Sequence, residues 1–246
     1  MGIQRLALAI GVAALLAACQ PVAYPAGGAV VSPTPLPVPA APAFEGVLPP
    51  EQAARNFVAV VNRVEPVAEA MCRERNPRSN CDFQIVVDDR PGQPPNAFQT
   101  LDRNGRPIVG FTLALIADAR NADEIAFVVG HETAHHIAGH IPQVQRTAVT
   151  GAVLAGVLAQ ASGAPPDAVR AAQQMGANMG ARTYAREFEL EADALGAEIA
   201  FRSGFDPVRG SAFFDRLPDP GDEFLGSHPP NAQRKEIVRR VVAGLR

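Results

Sequence analysis

Proline limits what the N-terminal fifth of this chain can form. Nine prolines fall within residues 20–50, where Glu45 is the single charged residue. Proline lacks a backbone hydrogen-bond donor and interrupts helices and strand ladders, so this segment favours an extended polyproline conformation that could reach roughly 90 Å. We therefore predict a Pro-rich tether over residues 19–50 and expect the folded domain to occupy residues 51–246.

The residues before the tether have the composition of a targeting signal. Arg5 gives a charged start, residues 6–18 form an apolar run too short to span a bilayer, and Cys19 follows. The Leu-Ala-Ala-Cys tetrad that ends at Cys19 resembles the lipobox of bacterial lipoproteins, which implies cleavage before the cysteine and lipidation of its thiol. We predict a lipoprotein signal peptide over residues 1–18; an ordinary signal or a packed apolar helix is the alternative. Gln20 resembles an outer-membrane sorting residue, so we expect a periplasmic protein with a lipid anchor in the outer membrane.

Charge and composition exclude one class of partner. The formal net charge is −3, from 22 basic and 25 acidic residues, so no basic excess can neutralise a phosphate backbone. The absence of tryptophan and the presence of two tyrosines leave few aromatic platforms for stacking bases. We therefore expect no nucleic-acid partner.

Two cysteines remain after Cys19. Cys72 and Cys81 flank a short polar stretch, and an exported chain places them in oxidising surroundings. We predict a disulfide between Cys72 and Cys81, with free buried thiols as the alternative.

Hydrophobic periodicity and turn signals predict a mainly helical α+β domain with a small antiparallel sheet. Asn104-Gly105 is a strong hairpin signal, and Asn121 with Glu124 forms a capping box for a helix that continues to about residue 141. The predicted strands cover residues 83–87, 96–101 and 106–111. The other predicted helices cover residues 51–71, 144–161, 166–181, 182–203, 207–217 and 231–244.

The helix capped by Asn121 contains the segment His131-Glu132-Thr133-Ala134-His135. Residues four apart lie on one helix face, so His131 and His135 can direct two imidazoles at a single ion. Zinc accepts neutral imidazole nitrogens and lowers the pKa of a bound water, and Glu132 lies beside it to take the proton. The pattern predicts one catalytic Zn²⁺ per chain, with Glu132 as the general base.

Four carboxylates in residues 187–193 are candidates for a third metal ligand. Glu189 and Asp193 share one helix face, and Glu187 and Glu191 share another. In either pair one carboxylate could bind the metal while the other orients a histidine. The spacing alone does not choose between the two pairs.

His136 and His140 form a second histidine pair at helical spacing. They point away from the face of the first pair and have no glutamate in the second position. We interpret His140 as a surface residue, or as a residue that supports the site without binding the metal.

Five segments occur in the order seen in one family. They read Pro-Asn-Ala-Phe (95–98), His-Glu-Thr-Ala-His (131–135), Glu-Leu-Glu-Ala-Asp (189–193), Ser-Gly-Phe-Asp-Pro (203–207) and Ser-His-Pro (227–229), with Arg234 beyond. The set resembles the gluzincin family of zinc metallopeptidases that includes the CAAX-prenyl endopeptidase, the mitochondrial Oma-type stress protease and the bacterial BepA-like periplasmic proteases. The resemblance covers roughly residues 50–244 and implies a zincin-like fold.

The resemblance also assigns roles to individual residues. It implies that Glu189 is the third zinc ligand and that Asp193 is the supporting carboxylate. It implies that His228 ligates zinc in a closed form or stabilises the oxyanion in an open form, and that Arg234 positions this region.

The implied activity is zinc-dependent endoproteolysis of unfolded or misassembled envelope proteins in the periplasm. The alternative is a periplasmic chaperone or assembly factor for outer-membrane proteins, with a latent protease site and the outer-membrane assembly machinery as a partner. A third hypothesis is a metal-binding lipoprotein without enzymatic activity.

Residues 147–161 are apolar and small, and they lie between the two halves of the predicted metal site. At about fifteen residues this run is short for a membrane span. We expect residues 147–181 to form either an ordinary core helix, or a mobile lid or helix pair that contacts substrate.

Overall fold

The computed structural model describes residues 47–183, 185–217 and 229–246. The predicted signal peptide, Cys19 and most of the predicted tether lie outside the described residues. In chain order the elements are α1 (Pro50–Arg75), β1 (Gln84–Asp88), β2 (Ala97–Leu101), β3 (Pro107–Thr112), α2 (Leu113–Asp118), α3 (Ala122–Ile137), α4 (His140–Ala161), α5 (Pro166–Arg182), α6 (Ala185–Arg202), α7 (Pro207–Gly210), a 3-10 helix (Ser211–Arg216) and α8 (Asn231–Leu245). Many helices with one small sheet confirm the predicted α+β class.

The sheet has the strand order β1-β3-β2 and is mixed. β2 and β3 form the predicted antiparallel hairpin, with Ala97 opposite Phe111. β1 runs parallel to β3, with Gln84 opposite Ile108, so the prediction of a wholly antiparallel sheet is wrong in this pairing. The hairpin already occupies one edge of β3, and β1 must pair with the other edge in the direction that its crossover connection allows. Local sequence patterns do not encode that connection.

Helix α3 lies at the centre of the domain. It contacts α1, α6, α7 and the strands β2 and β3, and most of its residues are buried. The phenylalanines of the core pack edge to face: Phe127 of α3 lies 5.4 Å from Phe214 between ring centroids, and Phe57 of α1 lies 5.1 Å from Phe111 of β3. The side chains that α3 carries are therefore held on a rigid, buried element.

The C-terminal end of α3 differs from the prediction. The helix ends at Ile137 instead of near residue 141, because Gly139 adopts a left-handed conformation with φ of 70°. Glycine takes this conformation without steric cost and commonly ends helices. The chain then turns, and His140 begins α4.

A disulfide links the last turn of α1 to the chain that enters β1. The sulfur atoms of Cys72 and Cys81 are 1.99 Å apart and their Cα atoms are 5.6 Å apart. Both residues are buried in the core.

Helices α4 and α5 form an antiparallel hairpin joined by residues 162–165. None of the helices within the described ranges combines the length and apolar character needed to cross a bilayer.

Candidate metal centre

Helix α3 presents two imidazoles on one face. The start of the helix is fixed by a cap, since the side-chain oxygen of Asn121 accepts a hydrogen bond from the backbone N–H of Glu124 at 3.0 Å. The carboxylate of Glu124 accepts in turn from the backbone N–H of Arg120 at 2.9 Å. With the helix set in this way, the Nε2 atoms of His131 and His135 lie 3.1 Å apart and face the same small volume.

Two glycines bring α6 against α3. A Cβ atom on Gly130 would lie 2.6 Å from the carbonyl oxygen of Gly196, and a Cβ atom on Gly196 would lie 2.6 Å from the backbone nitrogen of His131. Only glycine allows this approach of the two backbones. Glu189 lies two turns before Gly196 on the same side of α6, so the contact carries its carboxylate to the histidines.

His131, His135 and Glu189 form the candidate metal centre. The carboxylate oxygens of Glu189 lie 3.7 Å from His131 Nε2 and 3.5 Å from His135 Nε2, and all three ligand atoms lie within 4.8 Å of one another. Ligands at 2.0–2.2 Å from a tetrahedral zinc ion are separated by roughly 3.3–3.6 Å. The observed separations are close to that range. Among the described residues, two imidazoles and one carboxylate would leave the fourth position of a tetrahedral ion open, as in catalytic zinc sites. The donor set therefore fits zinc.

The structure separates the four carboxylates that spacing could not rank. Glu189 joins the centre, Asp193 contacts His131, and Glu191 contacts His140. Glu187 is exposed. The alternative pair of Glu187 and Glu191 is not brought to the centre.

Asp193 orients His131 from the side away from the centre. Its Oδ1 lies 2.9 Å from His131 Nδ1, and its two oxygens accept hydrogen bonds from Arg234 at 2.7 and 2.8 Å. Burial disfavours the carboxylate form, but the hydrogen bonds from His131 and Arg234 outweigh it and hold the pKa of Asp193 below its usual value. An ionised Asp193 accepts the Nδ1 hydrogen of His131, which leaves the Nε2 lone pair directed at the centre.

Burial also disfavours the charged form of His131. The hydrogen bond and negative charge of Asp193 outweigh that effect, so the pKa of His131 lies above its ordinary value. The same negative charge would favour a metal cation at Nε2, where the ion takes the place of the proton.

His140 supports the second ligand. Its Nδ1 lies 2.9 Å from His135 Nδ1, its Nε2 lies 3.3 Å from the carboxylate of Glu191, and its ring stacks on Phe188 at 4.4 Å. If His135 Nε2 faces the metal as an acceptor, its Nδ1 must donate to His140 Nδ1, and His140 Nε2 then donates to Glu191. Each link in this chain fixes the tautomer of the next.

The pKa of His135 is lowered to about 3, mainly by burial and next by the nearby His131. His135 is therefore neutral at neutral pH, and its nitrogen is available to a metal. His140 is 3% exposed, so the surface alternative for this residue does not match the structure. The signal that sequence reasoning missed is Gly139, which ends α3 and turns His140 back toward His135. His136 instead lies outside the centre and donates to the carbonyl oxygen of Asn80 at 2.8 Å.

The centre lies in a cleft that follows β2, an edge strand of the sheet within the described residues. A cavity of about 460 Å³ on one side is bordered by Gln99, and a cavity of about 200 Å³ on the other side is bordered by Ala97. Glu132 and Glu189 border both cavities. The cleft thus extends in both directions from the centre.

Comparison with known protein families identifies the family of this chain. The model of Peptidase family M48 matches residues 59–242. The chain belongs to peptidase family M48. The predicted family is confirmed, and the three residues of the centre lie within the part of this M48 chain that matches.

Two curated proteins are similar to part of this M48 chain. The mitochondrial metalloendopeptidase OMA1 of Arabidopsis thaliana is 30% identical over 138 residues, which are 54% of this chain and 27% of that protein. The beta-barrel assembly-enhancing protease of Escherichia coli is 31% identical over 129 residues, which are 47% of this chain and 26% of that protein. The matches thus span about a quarter of the length of each relative.

Two predicted site residues of this M48 chain remain, Arg234 and His228. Arg234 is buried, and its guanidinium contacts Asp193 and lies 3.3 Å from Glu189. His228 lies outside the described residues, and its predicted role beside the metal stays a prediction.

Proposed function

We propose that this chain is a zinc-dependent endopeptidase that hydrolyses unfolded or misassembled envelope proteins in the periplasm. The proposal depends on one observation, which is that the metal centre and Glu132 lie together in a cleft that extends on both sides. A bond in the interior of a polypeptide needs room for chain on both sides, so this shape suits internal cleavage. Membership in a peptidase family supports the same reaction class.

The mechanism assigns a task to each side chain of the site. His131, His135 and Glu189 would hold zinc, which supplies Lewis-acid activation of water and of the scissile carbonyl when bound. Glu132 would accept a proton from the attacking water and pass it to the leaving amine. The C–N bond breaks, and the hydroxyl group of the water remains on the acyl carbon. The other hydrogen of the water goes to the new amino group.

Strand β2 offers a way to orient the substrate. Within the described residues, β2 pairs with β3 along one side and is an edge strand of the sheet. The cleft lies along this strand. An edge strand can accept an extended peptide through backbone hydrogen bonds, which give affinity with little dependence on sequence. This mode suits a protease that acts on many unfolded chains.

The proposed location is the outer-membrane side of the periplasm, with a lipid on Cys19 and the Pro-rich tether between the lipid and the domain. The sequence around Cys19 supports this. The name of the Escherichia coli relative refers to beta-barrel assembly, and together with the proposed location it makes the outer-membrane assembly machinery a candidate partner. Cys19→Ala should abolish lipid labelling and release the protein from the outer-membrane fraction. Retention of the variant in that fraction would exclude the lipid as the anchor.

The activity is tested with the full chain in detergent and an unfolded casein-type substrate. Glu132→Gln should retain about one zinc per chain by elemental analysis while cleavage falls by at least about 100-fold, since a general base contributes on that order. Glu187→Gln, an exposed glutamate at the start of α6, is the matched control and should cleave normally. A zinc-loaded wild-type protein that cleaves no unfolded chain would contradict the proposal. Normal envelope assembly with Glu132→Gln would favour the chaperone alternative.

A further inference from the structure

The hairpin of α4 and α5 buries its smallest residues between the two helices. A Cβ atom on Gly151 would overlap the backbone of Gly176, and a Cβ atom on Gly180 would overlap the backbone of Thr147. The helices are therefore in direct backbone contact. No large side chain fits between them, so the large apolar residues of the hairpin must point elsewhere.

Those large residues face outward. Five apolar residues of α4 are between 57% and 63% exposed: Val149, Val153, Leu154, Val157 and Leu158. No charged residue occurs from residue 147 to residue 166. A helix in a soluble domain normally buries its large apolar side chains, and an exposed apolar surface of this kind marks an interaction site.

A groove runs along this surface, and a second, smaller groove adjoins both it and the cleft. Its volume is about 530 Å³, and Leu154, Leu158 and Met179 are among the residues that border it. Thr147 borders this groove and also a smaller neighbouring one of about 200 Å³. Phe188 borders the smaller groove and also the cleft beside Glu132. The grooves therefore follow one another along α4 from the metal centre outward.

We propose that this surface, here called the hairpin groove (Thr147, Leu154, Leu158 and Met179), binds an apolar segment of the polypeptide whose neighbouring segment lies in the cleft. The inference depends on the proposed peptidase function and adds a substrate class to it, namely unfolded chains that expose apolar segments. Folded proteins bury such segments and would not be held. A bilayer or a second copy of this chain could also cover an apolar face. Neither would need a series of adjoining grooves that reaches the cleft, and this arrangement favours the substrate.

The geometry sets a minimum substrate length. Leu154 lies fourteen residues after His140 on α4, which is about 21 Å along a helix axis. An extended peptide covers about 3.3 Å per residue, so roughly six residues beyond the scissile bond are needed to reach the groove. Peptides shorter than this should gain nothing from it.

The test compares substrate length between variants of the full chain. Two fluorogenic peptides share one cleavage site: the short one has four residues on each side, and the long one has ten, rich in leucine and valine. In the wild type, the long peptide should have a KM about tenfold lower than the short one. In Leu154→Gln with Leu158→Gln, that advantage should be lost, because the apolar contact is removed. Val58→Gln is the control, since Val58 is 57% exposed on α1, and it should keep the advantage.

A second measurement does not depend on catalysis. In a Glu132→Gln background, fluorescence anisotropy reports binding of the labelled long peptide, and the groove variants should bind it about tenfold more weakly. Wild-type protein that cleaves neither peptide would contradict the proposed function, while this binding difference would still support the groove. Leu154→Ala with Leu158→Ala provides a second variant that keeps helix propensity, and circular dichroism checks the fold of both.

Three results would overturn the inference. The first is a long-peptide KM and affinity within twofold of wild type in both groove variants. The second is unchanged peptide binding together with loss of flotation on vesicles of phosphatidylethanolamine and phosphatidylglycerol, which would assign the face to a membrane. The third is unchanged peptide binding together with loss of a dimer in light scattering, which would assign it to a second copy.

Discussion

Each histidine of the metal centre is held by a partner behind it, and the two partners differ in kind. His131 is backed by a fully buried carboxylate that is itself paired with Arg234. His135 is backed by another imidazole, His140, whose far nitrogen contacts Glu191. A carboxylate attracts a cation, whereas an imidazole mainly fixes a tautomer. The centre therefore has one partner that supplies charge and one that supplies orientation.

This division predicts the effect of changing His140. His140→Ala removes the acceptor for His135 Nδ1 and should weaken zinc binding by about 10–100-fold, as partners of metal ligands generally do. His140→Gln keeps an acceptor near the same position and should recover part of the affinity. Competition with a chromophoric chelator measures both dissociation constants.

The control for that experiment is His136→Ala, because His136 contacts the carbonyl of Asn80 instead of the centre. It should bind zinc as the wild type does. If His140→Ala binds zinc within twofold of wild type, the orienting role is wrong.

At the scale of elements, local signals located most helices and strands, while long-range contacts decided the site. The predicted starts of α5, α7 and α8 match the structure. A proline lies at or just before the start of each of these helices, and its effect is confined to one turn. The predicted end of α3 was wrong because the apolar periodicity of the sequence continues past Gly139. The parallel pairing of β1, and the choice of Glu189 among four carboxylates, depend on contacts between residues far apart in the chain. The choice of Glu189 came from the resemblance to a family, because the spacing of the carboxylates could not decide it.

The close contact between α3 and α6 predicts that a methyl group added there would disturb both stability and the candidate metal centre. Gly196→Ala places a methyl group 2.6 Å from the backbone of His131 and should push the helices apart, which lowers the free energy of unfolding by about 1–3 kcal/mol. Zinc affinity should fall as well, because Glu189 moves away from the histidines. Urea unfolding and chelator competition measure the two effects.

Gly244→Ala is the matched control. Gly244 also lies in a helix, but a Cβ atom there has no neighbour within 4 Å, so helix propensity should make this change neutral or slightly stabilising. Equal stability losses in the two variants would show that the contact between α3 and α6 is not the cause.

Two parts of the domain connect the candidate metal centre to more distant regions: the disulfide with the sheet, and the hairpin of α4 and α5. The disulfide fixes α1 to the start of the sheet, and the sheet carries the edge strand of the cleft. The hairpin of α4 and α5 starts at His140, which contacts the candidate ligand His135, and the hairpin groove begins two turns later at Thr147. An export route to an oxidising compartment would suit the disulfide.

Removing the disulfide should reduce stability without removing the site. In the chain-entropy description, closing a loop of this size contributes about 2–3 kcal/mol. Cys72→Ser with Cys81→Ser should therefore lower the free energy of unfolding by that amount in urea, while zinc affinity stays near the wild-type value. Reductant should destabilise the wild type and leave the double variant unchanged. A reductant-sensitive double variant would point to another cause.

Metal removal tests whether the centre holds the domain together. His131 and His135 come from α3 and Glu189 from α6, so an ion bound by all three joins the two central helices. A ligand at about 1,000 times its dissociation constant stabilises the native state by about 4 kcal/mol. Chelation by EDTA should thus lower the Tm of the zinc-loaded wild type by several degrees, and added zinc should restore it. Glu189→Ala, which removes the contribution from α6, should show a much smaller response. A wild type whose Tm is insensitive to EDTA would mean that no ion joins the helices, and the peptidase proposal would lose its physical basis.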